Sequence, residues 1–218
     1  MSESRPFGPL RANPESEDFG GKYEESNPIS VALLRRYFAT VDRLTRRAVS
    51  LSGEPGNVLE IGCGEGHSTR LIRAMLPAAA DFQASEFVAA QVAIAAENNQ
   101  GVSISHEDIY SLRREDSSID LIYLLEVLEH LDEPAAGLAE IRRVLRPSGC
   151  LILGVPREPL WRVLNMARLK YVNHLGNTPG HLQHWSSRSI KRLVEIEFGP
   201  VSAVTTPIPW TILLARRC

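Results

Sequence analysis

The chain has 218 residues, 44% of them hydrophobic and 23% charged, with a formal net charge of −2. That size and balance suit one globular domain with decorations, and they give no support to general nucleic-acid binding, which carries a strong basic bias. No apolar run approaches the roughly 18 residues of a membrane-spanning helix, so no membrane partner is expected.

The first residues, Met1-Ser2-Glu3-Ser4-Arg5-Pro6, lack the apolar core of a signal peptide. Three widely spaced cysteines, Cys63, Cys150 and Cys218, fit a reducing, cytoplasmic setting better than a disulfide framework. Residues 1–27 are rich in Pro, Gly, Ser and Glu and predict a mobile arm. The run Phe19-Gly20-Gly21-Lys22-Tyr23 offers aromatic anchors, so an arm that orders over a bound ligand stays open beside a solvated tail. A single domain is expected from residue 28 to 218.

Asn27-Pro28 predicts a helix start, with Asn27 as cap and Pro28 at the first helical position. Ile29, Leu33, Tyr37, Val41 and Leu44 keep helical spacing, and Ser52-Gly53-Glu54-Pro55-Gly56 ends the helix. From residue 57 the pattern alternates. Strands are expected at 57–61, 81–86, 102–106, 119–125 and 150–155, with helices at about 66–76, 88–97 and 134–145. Pro147-Ser148-Gly149 reads as the turn into the strand at 150. This β-α rhythm with short connections implies a parallel sheet covered on both faces. Leu121-Ile122-Tyr123-Leu124-Leu125 is apolar throughout, as a central parallel strand is.

After Pro156 the character changes. Residues 157–186 hold Trp161, Tyr171, Trp185, His174, His181 and His184, and residues 157–192 carry seven Lys/Arg against the single acid Glu158. We expect this segment to form a lid over the substrate. A helix at about 187–197, capped by Ser186 or Ser187, precedes two β-rich runs at 200–206 and 209–215 that predict a terminal antiparallel hairpin.

Chemistry-bearing residues stand at the carboxyl ends of successive strands. Gly62-Cys63-Gly64-Glu65-Gly66 leaves backbone bare between the first strand and the helix after it. Glu86 closes the second strand, where an acid can accept both hydroxyls of a ribose. Asp108 follows the third strand, where an acid beside apolar Ile109 can take an amino group and one face of an adenine. Parallel strands bring all three to one crevice.

With Glu60 ahead of the glycines, Ser118-Ile119-Asp120-Leu121-Ile122, Leu125-Glu126-Val127-Leu128-Glu129-His130-Leu131 and Leu145-Arg146-Pro147-Ser148-Gly149, these residues resemble the class I S-adenosylmethionine-dependent methyltransferases. The match covers about residues 57–155. The Leu-Glu-Val-Leu-Glu-His run resembles the quinone-pathway, small-molecule branch. The resemblance implies a Rossmann-like α/β fold: a seven-stranded, mostly parallel sheet with helices on both faces and a C-terminal antiparallel hairpin. It implies S-adenosylmethionine as cofactor and S-adenosylhomocysteine as product. Glu60 would support the turn or meet the methionine amino group, and Gly62, Cys63 and Gly64 would approach the methionine and ribose. Glu86 would hold the ribose hydroxyls, Phe87 and Ile109 would sandwich the adenine with Asp108 on its amino group, and Glu126 would join the cofactor-binding residues. Ser148 replaces a glycine common at that turn, with little expected effect on function.

Methyl transfer to a hydroxyl needs in-line alignment, exclusion of water and removal of a proton. His181, His184 and His130 are the candidate bases. Glu126, Glu129 and His130 would share one face of a helical turn. The related quinone-pathway element has been linked to a divalent metal, but a structural role is equally open and we assign no metal. His181 and His184, three residues apart, would face one cavity on a helical turn. Trp161, Tyr171 and Trp185 would stack a planar acceptor or pack the lid. The expected activity is O-methylation of a secondary metabolite or quinone-like precursor by a monomer or homodimer. N- or C-methylation, or a cofactor-binding module without turnover, remain the alternatives.

Overall fold

A computed structural model describes residues 28–169 and 171–218. The expected arm and the Asn27 cap lie outside them. The chain runs α1 (Pro28–Ser52), β1 (Asn57–Ile61), α2 (His67–Met75), β2 (Asp81–Glu86), α3 (Ala89–Asn98), β3 (Ser103–His106) and β4 (Ile119–Leu125). A single 3-10 turn at Leu128–His130 leads to α4 (Pro134–Val144), β5 (Leu145–Pro156) and α5 (Leu160–Ala167). A second 3-10 turn at Val172–His174 precedes α6 (Ser187–Glu197), β6 (Val201–Thr205) and β7 (Trp210–Arg216).

The strands form one sheet in the order β3-β2-β1-β4-β5-β7-β6. β1 to β5 pair in parallel, and β7 lies antiparallel between β5 and the edge strand β6. The sheet is thus the expected mostly parallel one with a terminal antiparallel pair. β4 shows why it needs two covering layers. Leu121, Tyr123 and Leu125 share a core with Tyr37, Val41 and Leu44 of α1 and Ile72 of α2. The alternate residues Ile122 and Leu124 share the other core with Leu138 and Ile141 of α4 and Ile190 and Val194 of α6. Alternation along a strand sends neighbours to opposite faces, and each aliphatic side chain buried this way stabilises by about 1.5–3 kcal/mol. The Tyr123 hydroxyl in the first of these cores is satisfied, 2.7 Å from Thr45 Oγ1.

The largest boundary difference from expectation is at β5. The Pro147-Ser148-Gly149 turn is absorbed into β5, whose register on β4 jumps from Ile119↔Leu145 to Leu121↔Cys150. Ser148 takes φ 69° there, and its N–H donates to Arg217 O at 2.9 Å. The bulge therefore has a partner at the sheet's far end, which local turn chemistry did not reveal. The α6 cap is Ser186, in a capping box with Ser189.

The chain leaves β1 toward β2 and β3 on one side, and later places β4 and β5 on the other. The carboxyl ends of β1 and β4 therefore flank the crevice where such sheets bind ligands.

Candidate active site

Three left-handed glycines shape the turn after β1: Gly62, Gly64 and Gly66, at φ 76°, 55° and 83°. Each has its own neighbour. A side chain on Gly62 would collide with Val127, and one on Gly66 with Asn99. At Gly64 nothing approaches closer than Gln91 Oε1 at 3.9 Å, so this is the glycine that leaves room for a ligand. Gly62 N–H and Cys63 N–H both donate to Ser85 O, at 2.8 and 3.1 Å, which ties the turn to β2. Asn99 Nδ2 donates to Gly66 O and Ala95 O, tying it to α3. Cys63 is buried, and desolvation, then Glu60 and Glu86, push its thiol far above the ordinary range. It packs and does not react.

Glu60 lies beneath this turn, 1% exposed, and accepts the Thr69 hydroxyl at 2.6 Å. Burial pushes its carboxyl up to about 7, against the opposing Ser68 and Thr69 hydroxyls and helped by nearby Glu86. Its bond to Thr69 ties the end of β1 to the first turn of α2. Glu86 is held by three backbone donors: Gly64 N–H on Oε2 at 2.8 Å, and Phe87 and Val88 N–H on Oε1 at 2.8 and 2.9 Å. A carboxylate offers about four lone-pair sites, so capacity for a sugar hydroxyl remains. Asp108 Oδ1 accepts Tyr110 N–H at 3.0 Å. Gly62, Gly64, Glu86, Phe87, Asp108 and Ile109 all line one open cleft of about 820 Å³. Cys63 and Glu60 stand behind it. Gln91 and Tyr110 line it too, and sequence reading missed them because no motif spacing marks them; Glu126 and Val127, from the Leu125–Leu131 run, line it as well.

The far wall comes from the loop after β4. Glu126 takes φ 60° and its Oε2 accepts Trp210 Nε1–H at 3.0 Å. The 3-10 turn begins only at Leu128, so Glu126 does not share a helical face with Glu129 and His130. His130 lines the cleft, whereas Glu129 is buried behind it. The His130 Nδ1–H donates to Gly180 O at 3.2 Å, an assignment that makes Nε2 the basic nitrogen. Buried His181 packs its ring edge-on against His130, centroids 5.1 Å apart, and its other side lies along Trp161 at 6.1 Å. One donor atom each from Glu129, His130 and His181 lie within 4.8 Å of one another.

His184 does not join this group. Residues 181–184 are not helical; His181 is buried, and His184 is exposed with Nε2–H donating to Asn177 Oδ1 at 2.6 Å. The expectation that both face one cavity is therefore corrected. The metal set implied by the resemblance, Glu126 with Glu129 and His130, does not converge, because Glu126 turns to Trp210. Glu129, His130 and His181 do converge, an arrangement that suits a hydrogen-bonded acid–base group or a divalent cation. Of the aromatic residues expected near the acceptor, Trp161 and Trp185 pack inward and Tyr171 is exposed at the far tip of the segment.

A family model described as a methyltransferase domain matches residues 33–197. The chain belongs to the class I S-adenosylmethionine-dependent methyltransferases. S-adenosylmethionine is the cofactor of this family. A Streptomyces fradiae transposon protein, uncharacterized and of 37.1 kDa, is 34% identical over 67% of this chain and 44% of its own length. A trans-aconitate 2-methyltransferase of Methylobacterium nodulans is 32% identical over 59% of this chain and 52% of its own. The chain thus spans about half the length of these curated relatives. A crystal structure of an Aquifex aeolicus methyltransferase matches with a TM-score of 0.63 at 18% identity, over 84% of this chain and 97% of that one, and so shares the fold. Among the described residues no helix is long and apolar enough to cross a membrane.

Proposed function

We propose that this methyltransferase moves the methyl group of S-adenosylmethionine to an oxygen nucleophile of a small molecule, of the secondary-metabolite or quinone-precursor kind. The observation that carries this reading is His130. It lines the same cleft as Gly62 and Gly64, and buried Glu129 and His181 stand behind it.

The methyl carbon leaves the sulfonium as the acceptor oxygen attacks in line, so positive charge on sulfur is lost and S-adenosylhomocysteine remains. The acceptor's proton passes to His130 Nε2. Glu129 favours the resulting imidazolium, as a buried carboxylate beside a histidine does, and His181 positions the His130 ring. Trp161 and His181 belong to the 157–186 segment, which acts as the lid. Leu182 and Gln183 N–H both donate to Glu129 O, at 2.9 and 3.0 Å, so the lid hangs from the catalytic turn itself. Closing it there excludes water from the sulfonium. The name of the trans-aconitate relative describes a small-molecule acceptor, which supports the same class here.

Incubation with methyl-labelled S-adenosylmethionine and a panel of hydroxylated small molecules tests the reading. Label is expected on oxygen, at a rate that falls in His130→Ala. Label on amines only, or tight cofactor binding with no transfer to any acceptor, would overturn it.

A further inference from the structure

We propose that residues 163–175, the outer tip of the 157–186 segment, dock on the surface of an anionic lipid bilayer. Within thirteen residues the tip presents Val163, Met166, Leu169, Tyr171, Val172 and Leu175 to solvent, with Leu169 at 83% exposure, Leu175 at 65% and Val163 at 56%. Single exposed leucines are ordinary on protein surfaces, but a group of this size at one end of a structured element marks an interaction site.

The tip is built, not loose. Its inner side is fastened: buried Asn165 Nδ2 donates to Gly176 O at 3.0 Å, and Trp161 Nε1–H donates to Thr178 Oγ1 at 3.0 Å. The backbone is paired as well, with Leu169 N–H on Met166 O, Leu175 N–H on Val172 O and Gly176 N–H on Tyr171 O. The exposed apolar side chains of the described residues are therefore carried on a paired frame. Leu169, Tyr171 and Leu175 all take left-handed φ, at 56°, 56° and 51°. Glycine or asparagine would be favoured at such positions, yet the chain places large apolar residues there.

Charge selects the partner. From Pro159 to Val194 the sequence has no Asp or Glu, while Arg162, Arg168, Lys170, Arg188, Lys191 and Arg192 supply six cations, in a chain whose net charge is −2. Aliphatic side chains at the tip, a tyrosine among them, with Arg162 in α5 and Arg168 directly after it, match the layers of a membrane interface: acyl boundary, headgroup level and lipid phosphates. The expectation of no membrane partner rested on the lack of a spanning run, which a surface contact does not need.

Sedimentation of the full chain with vesicles of phosphatidylcholine, alone or mixed with phosphatidylglycerol, tests the proposal without cofactor, acceptor or turnover. Failure here therefore leaves the methyl-transfer reading untouched, and the reverse holds too. The chain is expected to sediment with the mixed vesicles only, and less as salt rises. Replacing both leucines (Leu169→Asn with Leu175→Asn) should cut partitioning by about tenfold or more, and Arg168→Gln by about fivefold. Asparagine tolerates left-handed φ, so the circular dichroism spectrum and the affinity for S-adenosylhomocysteine should be unchanged. The proposal is overturned by absence from both vesicle types, by equal binding to both, or by full binding of the double variant. Capture of an acidic carrier protein through the same leucines, with no vesicle binding, also overturns it.

Discussion

On the β1–β3 side of the cleft, position is enforced by backbone. Gly62 and Cys63 N–H hold Ser85 O, and Gly64, Phe87 and Val88 N–H hold the Glu86 carboxylate. On the opposite side it is enforced by side chains that meet from distant parts of the chain: His130 from the turn after β4, His181 from the segment after α5, and Trp210 from β7, bonded to Glu126. The first wall suits a ligand common to a whole family, because backbone donors are indifferent to side-chain drift. The second can be rebuilt by changing a few side chains, which is how one fold serves many acceptors. Changes on the two walls should therefore fail differently, in cofactor binding on one and in turnover on the other.

The largest effect is expected on the second wall. His130→Ala should lower kcat by about 10²–10⁴-fold. His181→Ala should cost less, since it acts through His130, and His184→Ala least of all, with cofactor affinity preserved in the two lid variants. Steady-state rates beside calorimetric affinities for S-adenosylhomocysteine check this order. Equal rates for wild type and all three would remove the histidines from the mechanism. A chelator should leave the wild-type rate unchanged; loss of activity restored by a divalent salt would make Glu129, His130 and His181 a metal site instead.

Next comes the first wall. Gly62→Ala puts an L residue at φ 76° and drives its Cβ into Val127. The left-handed conformation costs about 1–2 kcal/mol and the overlap about 1–3, so stability should fall by about 2–5 kcal/mol. Cofactor affinity should fall with it, while kcat at saturating cofactor changes little. Denaturant melts and binding isotherms test both halves. A loss confined to kcat would erase the distinction between the walls.

That distinction also explains what could be read in advance. The glycine spacing, Glu86 and Asp108 follow one another at strand ends, so local pattern and the parallel sheet bring them to one crevice. His181 and His130 are 51 residues apart in sequence, and the carbonyl that fixes His130 belongs to Gly180. No periodicity shows that contact. The helical reading of 181–184 failed because Leu182 and Gln183 spend their N–H groups on Glu129 O and cannot close a local turn. Glu126 lines the cleft, but the helical face it was expected to share with Glu129 and His130 does not form, since its positive φ and its Trp210 partner are both tertiary facts.

A third test concerns the buried acid shared by turn and helix. The Glu60 carboxyl is raised in the folded protein from its ordinary 4.5 to about 7. The folded state therefore holds this proton more tightly than the unfolded chain. The contribution to stability is fully present below pH 4.5 and is lost as pH rises to about 7, a difference of about 3 kcal/mol. Glu60→Gln keeps an acceptor for Thr69 and removes the titration, so its gain in stability should be larger at pH 8 than at pH 5. Urea melts without cofactor at the two pH values measure it, and parallel pH profiles for both proteins would exclude the carboxyl as their cause.

The smallest effect belongs at the opposite end of the sheet, where a control for both walls lies. Ser148 holds φ 69° in the β5 bulge. Glycine would remove a left-handed cost of about 1–2 kcal/mol but gain unfolded-state freedom worth about 0.4–1 kcal/mol. Ser148→Gly should thus stabilise by at most about 1.6 kcal/mol, seen as a small rise in Tm. The bond from Ser52 Oγ reaches the Ser148 carbonyl, at 2.6 Å, and survives the change. Because the bulge sits at the start of β5 and the cleft lies past the ends of β1 and β4, cofactor affinity and kcat should both stay put. A shift in either would mean that strain at the far end of β5 reaches the cleft through the sheet, and that the two walls are less independent than their construction implies.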